Sequence, residues 1–173
     1  LPFEDNSFDV VTSCLGVRFA PHHQAGADEI LRVCKPGGTI GLLNWTPEGF
    51  IGRMFTTMKP FAPPPSPGAQ PPPLWGSEDH VRELFGSRIT DIQAKKRSLA
   101  IRSFHQPEDF LRYFKSHYGP TISVYKFIGD DKDKAQALDK ALTELADSFG
   151  EAHGDAVWQM EWEYLLVTAK EAR

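Results

Sequence analysis

The sequence predicts an α/β fold in which a mostly parallel sheet is packed with helices. Three observations carry that expectation. Two short apolar runs, Phe8–Leu15 and Thr39–Trp45, lack a clean alternation of polar and apolar side chains. Such runs suit strands covered on both faces. Between them Ala27, Ile30, Leu31 and Cys34 recur on one helix face. Lys35-Pro36-Gly37-Gly38 then supplies a tight return into the second run, where glycine tolerates a positive φ. Strand, helix, turn and strand in that order make a βαβ unit.

The remaining elements follow from local chemistry. Asp5-Asn6-Ser7 is a turn that drops the chain into its first strand. Gly26 weakens the helix after it by about 1 kcal/mol relative to alanine. Eight of the 14 prolines lie between Pro60 and Pro73. Proline fixes φ and removes a backbone donor, so an extended spacer or lid is expected at 60–73. Ser77 caps a short helix carrying Val81, Leu84 and Phe85, with Glu78 and Asp79 in its first turn and Gly86 past its end. Leu99–Phe104 reads as a strand. Pro107 starts a helix with Phe110, Leu111 and Phe114 on one face, which Gly119-Pro120 stops. Leu138, Leu142, Leu145 and Phe149 mark an amphipathic helix closed by Gly150. Trp158, Met160, Trp162, Tyr164 and Leu166 alternate with Gln159, Glu161 and Glu163, the clearest strand in the chain.

Composition narrows the function classes. The 173 residues carry 19 Lys and Arg against 23 Asp and Glu, a formal net charge of −4. No excess positive field draws phosphates, so no nucleic-acid partner is expected. Lys95-Lys96-Arg97, the one basic run, reads as a solvated strand entrance. No stretch approaches ~20 apolar residues, so no membrane span is expected and a cytoplasmic location is. Cys14 and Cys34 form no CxxC pair and read as buried, inert thiols in a reducing compartment. His22 and His23 diverge at a helix start with no acidic or cysteine partner at ligand spacing, so no metal is expected.

Leu1-Pro2-Phe3-Glu4-Asp5-Asn6-Ser7-Phe8-Asp9, followed by Arg32-Val33-Cys34-Lys35-Pro36-Gly37-Gly38, resembles the class I S-adenosylmethionine-dependent methyltransferases. Within them it is most similar to the ubiquinone and menaquinone type. The resemblance is specific over Leu1–Trp45 and weaker from Trp75 onward. It implies a partial Rossmann-like methyltransferase fold: the last strands of a mostly parallel sheet, flanking helices and an antiparallel C-terminal strand. It also implies S-adenosylmethionine as cofactor and a small, hydrophobic methyl acceptor. By position it puts Leu1 at the edge of the adenine pocket, Ser13, Cys14 and Leu15 facing the methionine moiety, and Phe19 beside the reacting centre. Ordinary core packing is the alternative for Leu15 and Phe19. Trp45, Phe50, Met54 and Trp75 form either an apolar acceptor pocket or core contacts beneath a lid. No catalytic residue is assigned. His22, His23, Glu48 and His80 are candidate bases, needed only if the acceptor must lose a proton.

The family's Gly-rich turn and ribose-binding acid have no counterpart in this sequence. Residues 1–173 are therefore expected to be the C-terminal portion of a single class I methyltransferase domain, with the Pro-rich lid or linker at 60–73. The absence of an initiating methionine at Leu1 fits that expectation, from which weak or no cofactor binding by this chain alone is predicted. Strand Phe8–Leu15 is then left with an open edge, which predicts a homodimer. A half-domain completing its fold with another chain, and a divergent binding module, are the rival readings.

Overall fold

The computed structural model describes residues 1–153 and 157–172. In chain order they form β1 (Phe8–Cys14), α1 (His23–Val33), β2 (Cys34–Trp45), α2 (Phe50–Met58), α3 (Glu78–Phe85), β3 (Ile89–Ile101), α4 (Pro107–His117), α5 (Gly119–Ile128), α6 (Lys132–Phe149), β4 (Gly150–His153) and β5 (Val157–Glu171). The chain divides into two compact units. One comprises Leu1–Pro47, Ser66–Arg97 and Glu163–Arg173; the other comprises Glu48–Pro65 and Ser98–Trp162.

The first unit contains the expected βαβ element, with β1 parallel to β2 across α1. β2 pairs antiparallel with β5, from Thr39 opposite Lys170 to Trp45 opposite Tyr164. The strand order is β1-β2-β5-β3, with β4 beside β5, so the sheet is mixed. α1 buries Ala27, Ile30 and Leu31, which pack with Cys34, Ile40 and Leu42 of β2, Leu165 and Val167 of β5, and Val81, Leu84 and Phe85 of α3. Ser77 caps α3 by accepting from the His80 backbone N–H, and Gly86 leaves it at φ 54°. Both features follow the sequence reading.

Four local expectations change here. β1 is not covered on both faces: it is the edge strand of the described sheet, and Phe8 and Val10 are exposed. Cys14 is exposed for the same reason, while Cys34 is buried. Lys35–Gly38 is an irregularity inside β2 rather than a turn before it, since Phe8 pairs with Cys34 but Val10 with Thr39. Gly37 takes φ 76° within it. At Gly38 a Cβ would lie 2.7 Å from Cys34 Sγ and 2.8 Å from the Lys35 carbonyl, so this bulge has room only for glycine. β3 begins at Ile89, ten positions ahead of the expected strand, and ends at Ile101; Lys95-Lys96-Arg97 sit mid-strand and exposed.

The Pro-rich segment is tied down rather than a plain spacer. Single 3-10 turns form at Lys59–Phe61 and Pro72–Gly76, and the Gln70 backbone N–H donates to the Pro21 carbonyl at 2.9 Å. Pro73, Trp75 and Gly76 are buried in the first unit.

The second unit is built on aromatic packing. The Phe50 ring of α2 stacks on Trp162 at 5.3 Å and meets Phe110 edge-on at 5.0 Å. Phe110 and Phe114 of α4 lie 4.4 Å apart. α6 contributes Leu138, Leu142 and Ala146, while Leu145 is half-buried. Lys115 bridges to Asp139 at 2.7 Å, and Tyr125 donates to the same carboxylate, joining α4, α5 and α6. Gly119-Pro120 does end α4, but it also starts α5, as proline's fixed φ allows at a first helical turn. Along β5 the buried residues are Trp158, Met160 and Trp162 in this unit, then Leu165, Val167 and Ala169 in the first. Tyr164 and Leu166 are therefore half-buried rather than core.

Candidate functional site

In open α/β sheets ligands bind beyond the carboxyl ends of the parallel strands. Here those ends are Ser13–Leu15 on β1 and Leu43–Trp45 on β2. β1 ends abruptly: Leu15 adopts φ 60°, a left-handed conformation rare for a branched side chain, while its N–H donates to the Leu43 carbonyl at 2.9 Å. Ser13 Oγ accepts from the Val17 N–H at 2.9 Å, which fixes the turn around exposed Gly16. Cys14 presents an exposed thiol. Phe19 is 53% exposed, with the buried Arg18 guanidinium 4.9 Å from its ring. Leu15 is half-buried, so neither it nor Phe19 is a core residue.

Leu1 is exposed, yet its backbone is held from α1. Arg32 donates to the carbonyls of Leu1 (3.1 Å) and Phe3 (2.8 Å) and to Asp5 Oδ1 (2.7 Å). Arg32 also pairs with Glu29, which draws that carboxyl down to about 2.

The four aromatic and apolar residues of the acceptor reading fall in different units. Trp45 is half-buried in the first, edge-on to Tyr164 at 6.2 Å. Trp75 is fully buried there, against His23 and Phe85. Phe50 and Met54 are fully buried in the core of the second unit.

Among the candidate bases, His22 is exposed and sits by Gly68, and Glu48 is exposed in the second unit. His23 and His80 are brought together. His23 is fully buried at the start of α1, with Nδ1 2.9 Å from Nε2 of half-buried His80. Burial first, and His80 second, lower His23 to about 4. Burial also lowers His80, against the opposing pull of Glu83.

Sequence reasoning overlooked Asn44. It is 1% exposed on the face of β2 that carries Ile40 and Leu42, and neither its Oδ1 nor its Nδ2 has a hydrogen-bond partner among the described residues. Its signal was a single carboxamide in an otherwise apolar strand end. Thr46, also buried, donates to Glu163 at 2.7 Å. No group of three or more His, Cys, Asp or Glu is arranged to hold a metal among the described residues, and no described helix is long and apolar enough to cross a membrane.

Residues 1–42 match the methyltransferase domain family. An uncharacterized protein of Mycobacterium tuberculosis is 48% identical over 170 residues, covering 98% of this chain and 60% of that protein. This chain thus spans about 60% of the length of the curated relatives it matches. A demethylmenaquinone methyltransferase of Clavibacter sepedonicus is 42% identical over 66 residues, 36% of this chain and 27% of its own. The crystal structure of a candidate methyltransferase from Bacillus halodurans superposes with a TM-score of 0.51 at 17% identity, over 100% of this chain and 68% of that one. The fold is that of the class I methyltransferases.

Proposed function

We propose that this chain forms the carboxyl-terminal portion of an S-adenosylmethionine-dependent methyltransferase domain acting on a small acceptor. The observation that carries the reading is the abrupt end of β1 at left-handed Leu15, inside the segment that matches the methyltransferase family. It opens the backbone at the edge where this sheet architecture takes its ligands.

The residues present suit one side of that cofactor. The turn at half-buried Ser13, exposed Cys14 and half-buried Leu15 and the exposed ring of Phe19 would take the methionine side, and Leu1, held by Arg32, the adenine edge. When bound, the cofactor supplies an electrophilic methyl group. The chain's own contribution is to orient the acceptor and exclude water, because positioning carries most of the rate in such a displacement. Of the apolar set, half-buried Trp45 offers surface to an acceptor and Trp75 lies in the core of the same unit, while Phe50 and Met54 belong to the core of the other unit.

Calorimetry tests the reading in two arms. The chain alone should show no tight saturable binding of S-adenosylmethionine at millimolar concentration, and micromolar affinity would overturn the half-site assignment. The longer mycobacterial relative should bind S-adenosylmethionine; failure there would remove the methyltransferase reading.

A second reading is favoured by the exposed apolar edge of β1, where Val10 is 58% exposed. A half-domain of this kind pairs with a second copy or another chain through that edge.

A further inference from the structure

Residues 66–76 form a strap across the carboxyl ends of β1 and β2. Its turn at Pro72–Gly76 touches both β2 and the turn Val17–Phe19 that follows β1. A Cβ on Gly26 would lie 3.3 Å from Val17 Cγ2 and 3.6 Å from Trp75 Cζ2, and one on Gly76 would lie 2.0 Å from the Trp45 carbonyl oxygen. The strap carries no charged side chain. It is held by the Gln70 N–H on the Pro21 carbonyl, by Gly68 against His22, and by the buried Trp75 ring, 5.4 Å from that of His23. His23 is itself fixed by His80, Nδ1 to Nε2 at 2.9 Å. Strap, α1 and α3 therefore meet at a pair of titratable rings.

At that distance one nitrogen donates and the other accepts. A first proton enters with the contact intact. Half-buried His80 takes it on Nδ1, favoured by Glu83, while its Nε2–H donates to His23. A second proton cannot enter that way. On His23 it would set an N–H on each side of the contact. It would also charge a fully buried ring whose Nε2 has no partner among the described residues. An unpaired charge is strongly disfavoured away from water, so His23 becomes charged only where water reaches it. The other charged groups on the packed elements are Arg18 after β1, His22, Asp28, Glu29 and Arg32 on or beside α1, and Glu78, Asp79 and Arg82 on α3. None of these acts on His23 as burial and the His80 charge do.

We infer that the His23–His80 contact is an acid-released latch on the strap at residues 66–76. The strap stays closed over the carboxyl ends of β1 and β2 while the pair holds at most one proton, and it opens, with His23 hydrated, once both rings are charged. The latch stands on the geometry of the first unit alone. That its opening uncovers a cofactor and acceptor site rests on the methyl-transfer reading above.

Amide hydrogen exchange of the whole chain, expressed as protection factors at each pH, tests the latch. The Gln70 and Ser77 N–H groups, which donate to Pro21 and Leu74, report on the strap. Central amides of the β2–β5 pair report on the sheet. From pH 7 to pH 4 the strap protection should fall roughly 100-fold, for one proton taken up by a ring that titrates near 6.5 when open and about 4 when closed. At every pH the strap should be less protected than the sheet, and low urea should leave its protection unchanged, as for a local opening. Equal protection of strap and sheet throughout would mean that acid merely unfolds the chain, and would overturn the latch. His23→Phe keeps a ring in place but removes the second proton site, so its strap protection should vary less than about tenfold over the same range. A full 100-fold fall in that variant refutes the proposal. Should the variant fail to fold, nitrogen NMR of the histidine-labelled parent decides: His23 should become charged with the midpoint of strap opening, and a His23 that charges while the strap stays protected overturns the latch. If these results hold but the longer relative fails to bind S-adenosylmethionine, the methyl-transfer reading falls and the latch stands.

Discussion

His23 Nδ1 lies 2.9 Å from His80 Nε2, joining the amino ends of two helices 57 residues apart in sequence. The contact makes stability depend on pH. Unfolded, His23 titrates near 6.5; folded, burial and the His80 ring hold it at about 4. Between those values the unfolded chain binds more protons, so stability rises with pH. The contribution is complete above about pH 6.5, is lost as pH falls toward 4, and changes no further below. The gap corresponds to about 3 kcal/mol, and the lowering of His80 adds in the same direction. Denaturant unfolding across this window should show the slope, and His23→Gln should flatten it. An equal slope in the variant would refute the assignment.

Gly76 supports the end of β2. A Cβ there would lie 2.0 Å from the Trp45 carbonyl oxygen and 2.7 Å from Thr46 Cα, both backbone atoms. Gly76→Ala should therefore cost about 3 kcal/mol or more, because backbone must move to admit one methyl. A thermal melt within experimental error of the parent would show that the crossing is looser than drawn.

Phe50 sits in a four-ring cluster with Phe110, Phe149 and Trp162. Its truncation to alanine should cost about 3–5 kcal/mol, typical for a buried phenylalanine. A loss well under 1 kcal/mol in equilibrium unfolding would argue instead for a side chain exposed to a pocket.

The open edge of β1 should drive self-association. Light scattering of the chain at high concentration should report dimers or larger species, and Val10→Lys should reduce them with a stability change within about 0.5 kcal/mol. A monodisperse parent would remove the pairing reading.

Arg32 pins the segment before β1 through the Leu1 and Phe3 carbonyls and Asp5. Arg32→Ala should speed amide exchange or proteolysis around residues 1–6 with little change in global stability, as expected for partly exposed ion pairs. Unchanged local protection would mean that the backbone bonds from Asn6 and Ser7 to Arg32 and Val33 suffice.

Much of the first unit was readable along the chain. The buried face of α1, the Ser77 cap, the Gly86 stop and the parallel strand pair all depend on residues within a few positions of one another. α5 was missed because Gly119-Pro120 serves as an end and a beginning at once. β3 was cut short because exposed Lys95, Lys96 and Arg97 carry no apolar alternation. Strand β5 was recognised, but not the change of buried face after Trp162, since alternation records the pleat and not which side a core covers.

The turns, caps and periodicity from Leu1 to Gly38 are set by short-range sterics and hydrogen bonding and so were legible as architecture; the methyltransferase likeness came from the resemblance of those motifs, in the segment that matches that family. The His23–His80 contact was not legible. His23 and His80 were each legible as candidate bases, but burial of one ring against the other, beside an indole and near the end of β2, requires α1, α3 and the Pro-rich segment to converge. Loss of solvent at His23 Nε2 is a property of that convergence, and no spacing along the chain encodes it.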